Sequence, residues 1–206
     1  MNLMSVTGAA GAVTVFCFSI GCAAPESTND SSIELGTSVE AASRVLTAKL
    51  VDANGSSGGT VVFARAGSRT VVSASVRLLS PASDFHGFHL HANDNPANGD
   101  GCVPPAFTSA DGHFNPAGGT HGDHGGDMPV LFAMADGTAA ASYLTDAFTI
   151  DSVKGRAVIV HAGRNNYGNV PVGPNADQYT PNSPAATTLT ESTGNAGARI
   201  LCGVVE

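Results

Sequence analysis

The chain has 206 residues, 42% of them hydrophobic and only 13% charged, with 25 glycines and no tryptophan. That suits one compact domain with appendages. The formal net charge is −8, and the absence of a basic patch or aromatic platform sets nucleic acid aside as a partner. Residues 9–20 are mostly apolar, too short to span a bilayer, and read as an export signal although no Lys or Arg precedes them. The signal is assigned to residues 1–22, and the polar, aperiodic residues 23–42 read as a flexible tether. A single domain is expected over 43–206. Arg44 to Val51 alternates and predicts a first strand; Thr60 to Ala64 and Thr70 to Leu79 predict the next two, separated by Gly-rich turns. A histidine-bearing strand follows Asp84, then Pro129 to Ala133 and Thr138 to Leu144 flank the hairpin turn Ala135-Asp136-Gly137. Ala157 to His161 and Arg199 to Val205 complete eight short strands, with residues 162–196 expected as a long loop. The fold class is therefore all-β, an eight-stranded Greek-key barrel or sandwich with two long functional loops.

Six of the seven histidines lie between Phe85 and Asp127, and the seventh, His161, ends a later apolar run. Imidazole is the commonest metal ligand and suits zinc and copper alike. His89 and His91 are two apart in a strand, so both point to one face while Leu90 points to the core. Glutamate is absent between Glu40 and Glu191, which removes a His-x-His site completed by a nearby Glu. Beyond His91 comes a Gly-rich loop dense in His and Asp, which favours a metal centre over a structural role.

Cys17 and Cys22 belong to the apolar run and its end, leaving Cys102 and Cys202. An even pair in an exported protein reads as one disulfide rather than two buried thiols. Ser19-Ile20-Gly21-Cys22 resembles a bacterial lipoprotein box, with Ser in place of the usual Leu. Lipidation at Cys22 would give membrane attachment through the N-terminus; the alternative is simple secretion.

His-Gly-Phe-His-Leu-His from His86, His-Phe-Asn-Pro from His113, His-Gly-Gly-Asp from His124, Val160-His-Ala-Gly and Thr193-Gly-Asn-Ala-Gly-Ala-Arg-Ile-Leu-Cys-Gly-Val resemble the copper/zinc superoxide dismutase family, in the family's order. The resemblance covers about residues 44–205, and its Val-His-Ala-Gly and short zinc loop look bacterial. It implies copper held by His89, His91, His113 and His161, and zinc by His113, His121, His124 and Asp127, with His113 bridging. It implies superoxide as the substrate, His113 and Arg199 as the catalytic groups, and His86 as a packing histidine rather than a ligand. A rival reading keeps the fold and the copper but makes the protein a copper buffer. A monomer or a homodimer is expected. Two departures stand out: the loop after His161 carries Arg164 but no lysine, and the family's aspartate four residues after the last copper ligand is Asn165.

Overall fold

Leu46, Ala48 and Leu50 alternate with exposed or half-buried neighbours, so the first strand buries one face and fixes its register against the next. The computed structural model describes residues 44–78, 83–99, 101–166 and 184–206, apart from the side chains of 184–187. The export signal, the tether and Cys22 lie outside the described residues. Nine strands occur among those described: β1 (Val45–Val51), β2 (Ser57–Ala66), β3 (Arg69–Arg77), β4 (Asp84–His86), β5 (Phe88–His91), β6 (Leu131–Ala133), β7 (Thr138–Thr145), β8 (Ala157–His161) and β9 (Arg199–Val204). Two helices, α1 (Ile150–Val153) and α2 (Pro184–Thr193), accompany them.

Seven strands form one antiparallel sheet in the order β5-β8-β9-β1-β2-β3-β7, and β4 pairs with β6 separately. The first and last strands of the chain are neighbours, and the sheet curls into an all-β Greek-key barrel. Leu46 faces Phe63 and Ala48 faces Val61 across β1 and β2, and both partners face Val72 and Ala74 on β3. Gly59 sits between Leu50 and Val76, where a Cβ would lie 2.3 Å from the Ser75 carbonyl oxygen, so glycine is required for the strands to approach.

The expected single histidine strand is two. At Gly87 the chain leaves the β4–β6 pair and enters the large sheet beside β8. The expected turn at Ala135-Asp136-Gly137 closes with Gly137 N–H donating to Met134 O at 2.8 Å. The strands it joins nonetheless pair elsewhere, β6 with β4 and β7 with β3. The long loop expected over 162–196 contains α2, with proline at its first position and Gly194 just beyond its end at φ 64°.

All five residues of β8 are buried. Val158 and Val160 enter the main core, while Ala157 and Ile159 pack beneath Phe107 and Ala110 from the loop after β5. That loop covers one face of β8, and it is on this covered face that the histidines gather.

Candidate metal centre

His89 pairs with Ile159 and His91 with Ala157, so both histidines share the face of β8 that ends at His161. Leu90 lies between them in the main core, as the alternation predicts. An isolated bridge between His91 and His113 brings the next loop onto this face. The ring donors of His89, His91, His113 and His161 all lie within 4.8 Å of one another, and all four side chains are buried.

The outward nitrogens of His91 and His161 are committed. His91 Nδ1–H donates to the Asp111 carbonyl at 2.8 Å, and His161 Nδ1–H donates to the Gly197 carbonyl at 3.0 Å. A carbonyl can only accept, so these bonds place the proton on Nδ1 and leave Nε2 as a bare lone pair. Nε2 of His91, His113 and His161 and both ring nitrogens of His89 are buried without a hydrogen-bond partner among the described residues. Unpaired buried nitrogens are costly in a finished fold, and a cation among them would satisfy them together. Burial pushes the pKa of His161 down to about 4 and those of His89 and His91 further, with neighbouring imidazoles adding to the effect. The rings are thus neutral, the form that binds metal.

A second group shares His113. Its Nδ1 lies 2.8 Å from Asp127 Oδ1, with His121 Nδ1 at 3.1 Å and His124 Nδ1 at 3.4 Å from the same oxygen. His113 Nδ1 and His124 Nδ1 are 3.2 Å apart. A tetrahedron of nitrogen and oxygen ligands around zinc has edges of about 3.3 Å, so these separations fit zinc. The donors of His89, His113, His121 and Asp127 also lie within 4.8 Å of one another. His124 completes a closer set than His89, because its Nδ1 is turned toward both His113 and Asp127. Burial works to raise the pKa of Asp127, but bonds with His113 and His121 and from the Gly122 N–H hold the carboxylate well below its ordinary range. Its Oδ2 accepts from Gly122 N at 2.6 Å and His124 N at 3.1 Å, which aims Oδ1 at the imidazoles.

The fold braces the set from behind. His121 N–H donates to the Glu191 carbonyl in α2 at 2.6 Å, and a Cβ on Gly194 would lie 2.4 Å from the ring of His121. Arg199, at the start of β9, donates to the Phe107 and Asp111 carbonyls. The Asp111 oxygen therefore serves both His91 and Arg199. Cys102 and Cys202 are joined with Cα atoms 5.6 Å apart, tying the covering loop to β9 three residues beyond Arg199. His86 is buried, and its Nδ1–H donates to the His161 carbonyl at 2.8 Å. Asn165 lies against Gly87, its amide buried without a partner among the described residues. Arg164 is exposed and paired with Asp84 at 2.6 Å. The sequence reading missed Asp111 and Gly197, whose carbonyls fix two ring tautomers; a backbone acceptor leaves no side-chain signal.

An antiparallel barrel carrying two adjoining histidine-rich clusters that share one imidazole defines a two-metal protein. The family model for copper/zinc superoxide dismutase matches residues 57–205, and the chain belongs to that family. It is similar to a superoxide dismutase [Cu-Zn] of Mycobacterium tuberculosis, 37% identical over 169 residues, covering 79% of this chain and 65% of that one. An extracellular superoxide dismutase [Cu-Zn] of Brugia pahangi is 34% identical over 161 residues, covering 74% of this chain and 70% of that one. The Cu/Zn superoxide dismutase structure from Brucella abortus superposes with a TM-score of 0.57 at 29% identity, covering 79% of this chain and all of that one. The chain spans a little under two thirds of the mycobacterial relative's length.

Proposed function

We propose that this protein disproportionates superoxide, turning two superoxide anions and two protons into one dioxygen and one hydrogen peroxide. Copper would be held by His89, His91, His113 and His161, and zinc by His113, His121, His124 and Asp127. The observation that carries the reading is the convergence of four neutral imidazoles whose inward nitrogens have no partner, beside a carboxylate ringed by three Nδ1 atoms. Copper when bound supplies one-electron exchange with superoxide, and a closed zinc site supplies a fixed positive charge.

The remaining work falls to the protein. His113 presents Nδ1 to the Asp127 group and Nε2 to the other imidazoles, so Nε2 is the atom at which a proton can be held and passed on. Asp127 keeps the ring in place meanwhile. Arg199 is half-buried beside His91, and burial lowers its pKa without removing its charge. Its guanidinium draws in the anion and orients it, offsetting an acidic chain.

Metal analysis and superoxide decay measured on one sample test the reading. Stoichiometric copper and zinc with decay well above free-metal controls are expected. Copper bound without faster decay would make the protein a copper buffer instead. We further propose export, with Cys22 lipidated as the first mature residue and residues 23–42 as the tether; the extracellular relative supports export. Radiolabelled palmitate should mark the wild type and not Cys22→Ala, whereas a mature N-terminus near Ser31 would mean simple secretion.

A further inference from the structure

Asp111 adopts φ 64° and ψ −160°, a backbone region that is essentially the province of glycine. Such strain persists only where the surroundings over-determine it, and it gathers at functional sites. Here the surroundings can be named. Asp111 Oδ2 accepts from the backbone N–H groups of Asp94 at 2.8 Å and Asn95 at 2.9 Å, and Oδ1 accepts from Asn98 Nδ2 at 2.6 Å. The segment that supplies these donors is itself pinned to the barrel. Arg156 bonds both the Asp94 carboxylate and the Ala92 carbonyl, and its guanidinium lies 4.7 Å over the Phe114 ring. Asn93 bonds Gly155 O and receives Gly101 N. On its other side Asp111 offers one carbonyl oxygen, and both lone pairs are used, by His91 Nδ1–H and by the Arg199 guanidinium.

We propose that Asp111 is a positioning residue: its carboxylate, clamped by Asp94, Asn95 and Asn98, holds a glycine-like backbone so that its carbonyl fixes the ring of His91 and the reach of Arg199. The assignment rests on the proposed copper site only for what the fixed ring is used for. The clamp itself belongs to the protein alone. It predicts that the copper side depends on Asp94, Asn95 and Asn98, none of them a proposed ligand, while the zinc side, built on Asp127 and braced by α2, does not.

Three substitutions separate the parts. Asp111→Ala keeps the strained backbone and removes the clamp. Asp111→Gly removes the clamp and the strain together. Asp111→Asn keeps an acceptor oxygen for the Asp94 and Asn95 donors, and the Asn98 amide can turn to meet the new side chain. Two readouts serve. Proton exchange at His91 Nδ1–H in the metal-free protein, followed by NMR, reports the bond to the Asp111 carbonyl directly. Copper and zinc affinities from chelator competition, with the Cu(II) electron paramagnetic resonance spectrum, report the ligand set.

Asp111→Ala and Asp111→Gly are expected to speed the His91 exchange, shift the Cu(II) spectrum and weaken copper by about tenfold, the usual effect of disturbing a ligand's hydrogen-bond partner, with zinc affinity unmoved. Asp111→Asn is expected to restore the parent exchange rate and spectrum. Asn98→Ala, which leaves the strained backbone untouched, should move the same readouts in the same direction and less far; it keeps the test open if Asp111→Ala does not fold. Asp111→Gly with parental exchange, spectrum and copper affinity would overturn the proposal, because the backbone alone would then place the carbonyl. Equal losses of copper and zinc would overturn it too, as general loosening. Should the parent protein bind no copper, the metal reading fails, while the exchange measurement still decides the clamp.

Discussion

Asn165 and Arg199 show how much of the site turns on single side chains. In the family an aspartate at the position of Asn165 accepts from a copper-side and a zinc-side imidazole, here His89 and His121. Asn165 and His89 both lie beside Gly87, where a Cβ would lie 2.6 Å from Asn165 Oδ1 and 3.1 Å from His89 Cε1, but the amide oxygen has no hydrogen-bond partner among the described residues. An amide has one acceptor oxygen and no charge, so it serves such rings only in part. Asp177, the other loop acid that could take this place, lies outside the described residues. Asn165→Asp is expected to tighten zinc about tenfold in chelator competition, with copper less affected; unchanged or weaker zinc would remove Asn165 from this role. Arg199→Ala should keep copper and slow superoxide decay by about tenfold at low salt, with a flatter dependence on ionic strength, since a local charge steers an anion and salt screens it over about 8 Å. Identical rates for mutant and parent at every salt concentration would rule out steering by Arg199.

At the scale of the elements, Gly87 is the joint between β4 and β5. A Cβ there would also lie 2.7 Å from Ala196 Cβ, so Gly87→Ala is expected to cost about 1–3 kcal/mol of stability through overpacking, read as a lower urea midpoint. A midpoint equal to the parent's would mean that the loop carrying Asn165 yields freely. Cys102→Ser should lower stability by about 2–5 kcal/mol, because the bridge closes a long loop and carries no ligand; mass spectrometry of the folded parent should find no free thiol at either cysteine. The sequence made the strands legible where alternation was strong, as in Leu46, Ala48 and Leu50, and it made the histidines legible because few residue types do what imidazole does. The change of sheet at Gly87 was hidden, since a strand that swaps partners keeps its residue pattern. Helix α1 was hidden by its length of four residues, although Thr149 and Ser152 form a capping box. Helix α2 was hidden by threonines and a weak apolar face, and only Pro184 and Gly194 marked its ends.

For the whole molecule, burying neutral imidazoles has a consequence in acid. The His161 pKa is pushed down to about 4 in the fold, and burial depresses His89, His91 and His113 in the same direction. An unfolded histidine titrates near 6.5. Below that pH the unfolded chain therefore takes up protons that the fold refuses, and stability falls as pH falls. For His161 the loss runs from about pH 6.5 to about 4 and then stops, while the more depressed His89 and His91 carry it lower. Asp127 acts in another window: its carboxylate is held down in the fold, so its contribution is present above the ordinary carboxylate pKa and is lost only in stronger acid. A bound metal would compete with protons for the same lone pairs and hold the imidazoles neutral. The urea midpoint of the metal-free protein is accordingly expected to drop between pH 6.5 and 4, while the loaded protein keeps its midpoint over most of that span and fails only once the metal leaves. Parallel titrations of the two forms measure the difference. If the metal-free midpoint stays flat through that window, the imidazoles are not held neutral by burial, and the preorganised site inferred from them does not exist.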